Sequence, residues 1–353
     1  MMRIVKTSKY VVIVSIAIAM AAGCSSSSAP LAPARLGLVP GVHLSRSADS
    51  LFEPTSARPK YILVGSVPLQ SILYFKATAT GPAKPVATIS GTKTHILNPS
   101  ELFIDGGQLW LANYSTPGGS IGAFNKHKRG NIAPKVYISG SKTKLDGQTS
   151  LYVLPNGDIV SSNAASNSVL VFPPGSNGNV HPAHVIAGSK TRLDNSNSVW
   201  MDPTSQDILV ASPGFGGGPG NGILAFSPSA KGNVAPLYTI AGSNTTLCQP
   251  VGLVIDSQGL IYVTNSNESG GCTPAILVFA SGAEGNVAPI RTIVGSNTTL
   301  KTPYRIRVDA LGYTYVTDYQ DQSVKVFGPG ANGNVAPVQN ITNIPNPVAL
   351  ELQ

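Results

Sequence analysis

The chain has 353 residues, 42% of them hydrophobic and only 11% charged, with 37 Gly, 28 Pro and a formal net charge of +8. Such a chain can bury a large core. Abundant Gly and Pro with so few charges argue for short strands joined by many turns and against a set of solvated helices. No stripe of Lys and Arg interleaved with aromatics runs through it, which excludes nucleic acid as the expected partner.

In chain order, Arg3, Lys6 and Lys9 precede an apolar run from Tyr10 to Met20, followed by Ala21-Ala22-Gly23-Cys24. A basic start, a short apolar stretch and small residues before a cut describe a secretory signal over residues 1–23, too short to span a bilayer comfortably. Its loss removes three positive charges and no negative one, taking the formal charge from +8 to +5. The Ala-Ala-Gly-Cys string resembles the lipobox of bacterial lipoproteins, with Ala21 where Leu is usual. The resemblance implies a lipid on Cys24 and a place at the cell envelope, on the outer membrane or cell surface; the alternative is an ordinary signal with an incidental Cys. Residues 24–58, rich in Ser, Ala and Pro, read as a tether that leaves the body in water.

Beyond residue 58 the chain repeats itself. Gly-Asn-(Val/Ile)-x-Pro recurs at Gly130, Gly178, Gly232, Gly285 and Gly333, preceded by a degenerate copy, Gly81-Pro-Ala-Lys-Pro85, at spacings of 49, 48, 54, 53 and 48 residues. That period suits one four-stranded blade per repeat, so residues 59–353 are expected to form an all-β, six-bladed β-propeller. Each repeat divides into four apolar runs. Pro250-Val-Gly-Leu-Val-Ile-Asp256 is an inner strand, Ile261-Tyr-Val-Thr-Asn265 a second, Ile276-Leu-Val-Phe279 a third and Arg291-Thr-Ile293 an outermost one. Turn sequences such as Asp256-Ser-Gln-Gly259 join the first two. The last inner strand, Pro347-Val-Ala-Leu-Glu-Leu352, ends the chain without partners, while the first segment, Tyr61-Ile-Leu-Val64, is a second strand. One blade is therefore expected to draw strands from both ends of the chain.

These inner and second strands, at residues 250–265 and 303–318, resemble the NHL-repeat propellers and, more distantly, the gluconolactonase-like and streptogramin-lyase-like ones. The Arg-Ile pair that usually opens the third strand of NHL repeats is absent. The resemblance implies the fold; the lactonase-like relatives also imply an alternative activity, a metal-dependent extracytoplasmic hydrolase or lyase.

Several features are read as structural. Phe75, Phe124, Phe172, Phe226, Phe279 and Phe327 recur once per repeat at the end of the third strand, as blade-to-blade core. Lys126-His127-Lys128-Arg129 is a solvated loop. Gly118-Gly-Ser-Ile-Gly122 matches a nucleophile-elbow string but leads into a strand rather than a helix. The five His residues occupy unrelated places, and the Gly214-to-Gly222 loop precedes a strand, so neither offers metal ligands or a phosphate cradle. Cys248 and Cys272 fall in two loops on one face of the ring and are expected to form a disulfide in an oxidising compartment; a metal pair would lack further ligands.

The inner strands carry the candidate site. Their fourth and sixth places are uniformly apolar. The third place holds Glu101, Ser150, Ser198, Gly252, Arg305 and Ala349, and the fifth Phe103, Tyr152, Trp200, Val254, Arg307 and Glu351. With a period of two these variable places share one side, the side expected to face the axial channel. Two readings stay open. Glu101 with Arg305 and Glu351 with Arg307 pair across the channel as structure; or Arg305, Arg307, Glu101, Ser150 and Ser198 hold a small polar ligand against Tyr152 and Trp200, with Asn113, Asn163, Asn265 and Asp318 as its rim. No catalytic residue, metal or cofactor is expected. The function expected is a lipid-anchored, non-catalytic scaffold that binds a protein, peptide or envelope polymer on the face carrying the two cysteines.

Overall fold

The computed structural model describes residues 58–214 and 221–353, together with a pair of short antiparallel strands, Val5–Thr7 and Tyr10–Val12, in a separate unit that spans Met1–Leu44. Most of the expected signal sequence, Cys24, the tether up to residue 57 and most of the Gly214-to-Gly222 loop lie outside the described residues.

The body is a ring of six four-stranded antiparallel sheets. Blade 1 combines Pro347–Leu352 innermost with Tyr61–Ser66, Ser71–Lys76 and Ala87–Ile89. Blades 2 to 6 follow in chain order, with inner strands Pro99–Asp105, Gln148–Val153, Ser198–Met201, Pro250–Ile255 and Pro303–Val308. The closure read from the unmatched last strand is what forms: Leu350 pairs Val64 and Glu351 pairs Leu63, and the first and last strands of the ring meet where the Tyr61 amide donates to the Gln353 carbonyl at 2.6 Å. The six phenylalanines are all essentially buried between blades.

Strand direction sorts the loops. Turns between second and third strands and connectors between blades lie on one face, here the connector face; the remaining hairpins, and the point where the chain enters blade 1 at Tyr61, lie on the other. The Cys248–Cys272 disulfide, with Cα atoms 5.7 Å apart, ties a connector to a second-to-third-strand turn on the connector face, as expected.

The Gly-Asn repeat staples blades together. Each Gly donates its N–H to the outer strand of the preceding blade, as Gly130 to the Thr88 carbonyl at 2.7 Å and Gly333 to that of Thr292 at 2.7 Å. The following Asn side chain accepts an N–H from the connector that leaves that outer strand: Asn131 from Lys93, Asn179 from Lys142, Asn233 from Lys190, Asn286 from Asn244 and Asn334 from Asn297, all at 2.7–2.8 Å. These connectors share a second motif, Gly-(Ser/Thr)-(Lys/Asn)-Thr-x-(Leu/Ile), whose buried Thr donates to the Gly carbonyl and accepts from the amide of the Leu or Ile two residues on. The Gly is obligatory: at Gly295 φ is +119° and a Cβ would sit 2.6 Å from the Asn334 side chain. At the closing seam both halves are missing together. Pro82 replaces the Asn, and the connector runs six residues from Ile341 to Pro347 instead of the ten from Ile293 to Pro303. Here Gly81 still bonds the Asn340 carbonyl at 2.8 Å, and Gln339 donates to the Ala77 and Ala79 carbonyls.

Candidate functional site

The third and fifth places of the inner strands meet at the axis and fill it. Arg305, 1% exposed, is the hub of the layer nearer the connector face. Its guanidinium donates to the Ser100 carbonyl at 3.1 Å, the Thr149 carbonyl at 2.6 Å, the Asn197 side-chain oxygen at 2.8 Å and the Val251 carbonyl at 3.4 Å. One side chain from blade 6 thus bonds blades 2, 3 and 5 and the connector into blade 4. Its Nε also lies 3.0 Å from Glu101 Oε2, which accepts the Ser150 hydroxyl at 3.0 Å. Ser150 in turn accepts from the Val199 amide. Gly252 leaves room for the neighbouring blade, since a Cβ there would overlap the Tyr304 carbonyl.

The second layer is half ionic and half aromatic. Arg307 reaches Glu101 Oε1 at 2.9 Å, Glu351 Oε2 at 3.2 Å and the Leu102 carbonyl at 2.6 Å. Phe103, Tyr152 and Trp200 close the other half, with ring centroids 4.6, 4.9 and 5.9 Å apart, and the Arg307 guanidinium stands 5.0 Å over Trp200. Burial opposes the Arg307 charge, but the two carboxylates outweigh it and hold its pKa above the ordinary value. Burial lifts the Glu351 carboxyl, which has Arg307 as its partner, and lifts the Tyr152 phenol strongly. Two arginines and two glutamates form a neutral, mutually bonded plug. Both cross-channel pairs anticipated from the sequence are present, and Glu101 bridges the two arginines.

The residues expected to form a rim are turned toward the backbone. Asn113 accepts the Leu97 N–H and donates to the His95 carbonyl; Asn265 accepts from Cys248 and donates to Thr246; Asn163 donates to Lys144. Each ties a connector to the second strand. Asp318, in the same place, accepts the amides of Lys301 and Thr302 at 2.8 Å, and its charge is met by the fully buried Lys325 ammonium at 2.8 Å. Lys325 also reaches Asp321, which pairs with Lys301. Burial pushes the Asp321 carboxyl up, but hydrogen bonds from Lys301 and Lys325 outweigh it and leave its pKa below the usual 3.8. In the turn between the second and third strands of blade 5, burial raises the Glu268 carboxyl, opposed by Arg305.

Ser120 of the Gly-x-Ser-x-Gly string lies within the strand Gly119–Asn125 and accepts the Asn113 amide, rather than standing on the approach to the strand. In the basic loop, Arg129 bonds the Lys126 and Lys128 carbonyls and covers Tyr74 at 3.7 Å, whose phenol burial raises to about 12. Among the described residues no three His, Cys, Asp or Glu side chains stand together as a metal-binding group. The feature that sequence reasoning missed is the second connector motif, which places Lys93, Lys142 and Lys190 on the connector face; its signal was a six-residue repeat as regular as the Gly-Asn one.

Comparison with known proteins agrees with the architecture. Residues 247–269, covering the end of a connector and the first two strands of blade 5, match the NHL repeat. Among solved structures, a protein of unknown function from Bacteroides caccae aligns at TM-score 0.57 and 9% identity, over 83% of this chain and 98% of that one. A chain of a nidogen/laminin complex aligns at 0.57 and 13%, over 82% and 97%. The periplasmic gluconolactonase PpgL of Pseudomonas aeruginosa aligns at 0.54 and 13%, over 82% and 98%. No curated protein matches the chain in sequence. At these identities the likeness is one of fold.

Proposed function

We propose that this NHL-repeat-like propeller is a cell-envelope lipoprotein, anchored through Cys24, that works as a non-catalytic binding scaffold on its connector face. The observation that carries the reading is the plugged axis. The two channel carboxylates, Glu101 and Glu351, are committed to Arg305 and Arg307, and most of the Arg305 donors to backbone carbonyls and Asn197. A metal-dependent hydrolase of the lactonase-like kind needs carboxylates free to ligate a cation, and here each would have to abandon a buried arginine first. Binding is then left to the faces. The chain enters blade 1 at Tyr61 on the face opposite the connectors, so the point where a tether of residues 24–58 joins the body lies off the connector face.

The likeness in fold to a gluconolactonase keeps the hydrolase as the competing reading. Elemental analysis of protein purified without chelator, paired with turnover assays on lactones and related esters, separates the two. The scaffold reading expects no stoichiometric metal and no turnover. A bound metal whose removal abolishes hydrolysis would replace it. Globomycin-sensitive processing, with loss of membrane attachment in Cys24→Ala, is the expected result for the anchor.

A further inference from the structure

Resting on the scaffold reading, we infer that the connector face binds an anionic polysaccharide across blades 1 to 4. Two observations carry this. The first is a graded repeat. The third residue of the connector motif is Lys93, Lys142 and Lys190 in three consecutive connectors and Asn244 and Asn297 in the next two; the fifth is His95, Lys144 and Arg192, then Thr246 and Thr299. The turn is held in every case by its Gly, its Thr and the stapling Asn, so the side chain at the third place is not what shapes it. Where that residue is Asn, its amide donates back to the neighbouring blade, to the carbonyls of Asn286 and Asn334 at 3.3 Å. Where it is Lys, the residue is exposed, and no ion pair of Lys93, Lys142, Lys144 or Lys190 occurs with any described residue. The acids on these connectors are Asp146 and Asp194, both half-buried, and the turns between second and third strands of blades 1 to 4 carry no charge. Glu268 and Asp321 lie on blades 5 and 6. The result is an arc of cations stepping one blade at a time, which suits a polymer with regularly spaced negative charge.

The second observation is a cleft of about 450 Å³ on the same arc, lined among others by Leu69, Gln70, Thr92, His95, Leu97 and Tyr137. It is built from breaks in the repeat. Tyr137 stands where other outer strands have Thr88, Val185, Thr239 and Thr292; Leu97 stands where other connectors have Asp146, Asp194, Cys248 and Lys301. Leu69 and Leu97 are half-exposed, and the His95 and Tyr137 rings stack 4.8 Å apart at the cleft wall. A stacked ring pair beside an amide and a hydroxyl suits the apolar face and hydroxyl edges of a sugar ring, and a cleft of this size holds one or two residues. Lys93 belongs to the connector that lines it, and Lys142 to the next connector, which follows the Tyr137 strand. A sugar-sized cleft within a cationic arc favours an acidic glycan over an acidic protein.

The test uses the purified full chain and polygalacturonate, with neutral dextran as the comparison and polyaspartate as a non-sugar polyanion. Expected are salt-sensitive binding of polygalacturonate, at least tenfold stronger than dextran and clearly stronger than polyaspartate, and a loss of about tenfold or more in Lys93→Asn/Lys142→Asn/Lys190→Asn. That variant installs the residue that the chain itself uses at its last two full connectors, so its melting temperature should hold. Tyr137→Thr, again a residue of the repeat, should weaken binding of short uronate oligomers severalfold while leaving the salt slope intact. Equal binding to polyaspartate would overturn the polysaccharide assignment, and unchanged binding in the triple variant would overturn the arc. No polygalacturonate binding by a protein that also lacks metal and lactone turnover would remove this inference alone; turnover with bound metal would remove the scaffold reading beneath it.

Discussion

Replacing Arg305 by alanine tests the ring directly, because among the described residues no other side chain spans so much of it. The substitution removes hydrogen bonds to Ser100, Thr149, Asn197 and Val251 and one of the two cationic partners of Glu101. Deleting one partner of a buried ion pair costs about 3–5 kcal/mol. Each carbonyl left dry adds on the order of 1 kcal/mol, less where water enters the space vacated by the side chain. Arg307 still neutralises Glu101, which limits the electrostatic part, so about 5 kcal/mol is the working value. A propeller of roughly 300 residues unfolds with an entropy of about 0.6 kcal/mol/K, which turns that loss into a fall of about 8 °C in Tm. Differential scanning calorimetry reads it. Arg305→Lys keeps the charge but not the planar fork, and is expected to fall about halfway. A Tm for Arg305→Ala within about 2 °C of the parent would refute the hub.

Other perturbations probe separate parts of the same ring. Deleting residues 347–353 removes the inner strand of blade 1, with the buried Ala349 and Leu350 and the Glu351 partner of Arg307, and is expected to lower Tm by more than about 10 °C or abolish a cooperative transition; retention of the parent's melting curve would break the closure scheme. Reducing Cys248–Cys272, or replacing both by Ser, opens a link across 24 residues worth roughly 3–4 kcal/mol, so Tm measured with and without reductant should differ by about 5 °C. Asp321 has a folded pKa below 3.8, so it contributes stability above that value and loses it as pH falls further. The Tm gap between the parent and Asp321→Asn should therefore be steady near neutrality and close below about pH 3.8, and a gap independent of pH would show that the Lys301 and Lys325 contacts carry no net weight.

The fold was legible because a propeller writes its period into the chain. Gly-Asn-(Val/Ile)-x-Pro gave the blade count, and the unpaired Pro347–Leu352 gave the closure, both from local pattern alone. What the Gly-Asn motif does was not legible, since the staple joins residues some 40 apart, such as Lys93 and Asn131, and only spatial stacking brings them together. The same holds at the axis. Period two identified the inward places and their residue types, yet the sequence could not say whether Glu101 and Arg305 left a gap between them, because that depends on side-chain reach across a closed ring. Asn113, Asn163 and Asn265 drew notice as recurrent polar residues at strand ends, where a rim and a backbone clamp look alike in sequence. The exchange of Asn265 for Asp318, accompanied by Leu277 giving way to Lys325 on the paired strand, was the available hint that this place is structural.

Departures from the repeat fall into two physical kinds, and the difference bears on function. Those at the axis and inside the blades are compensated: a Glu for each axial Arg, a Gly where the adjacent blade presses in, and within blade 6 an Asp opposite a Lys. Charges buried in that way cost desolvation and return it only through fixed partners, so they are constrained to remain as a set. Those on the connector face are uncompensated. Lys93, Lys142 and Lys190 stand where Asn serves the seam better, and Tyr137 and Leu97 expose apolar surface where Thr and Asp occur elsewhere in the same chain. A compensated departure is explained by the fold that contains it; an uncompensated one lowers the internal consistency of the repeat without any return inside the molecule. Under the scaffold reading proposed above, that return comes from a partner outside the molecule, docked on the connector face.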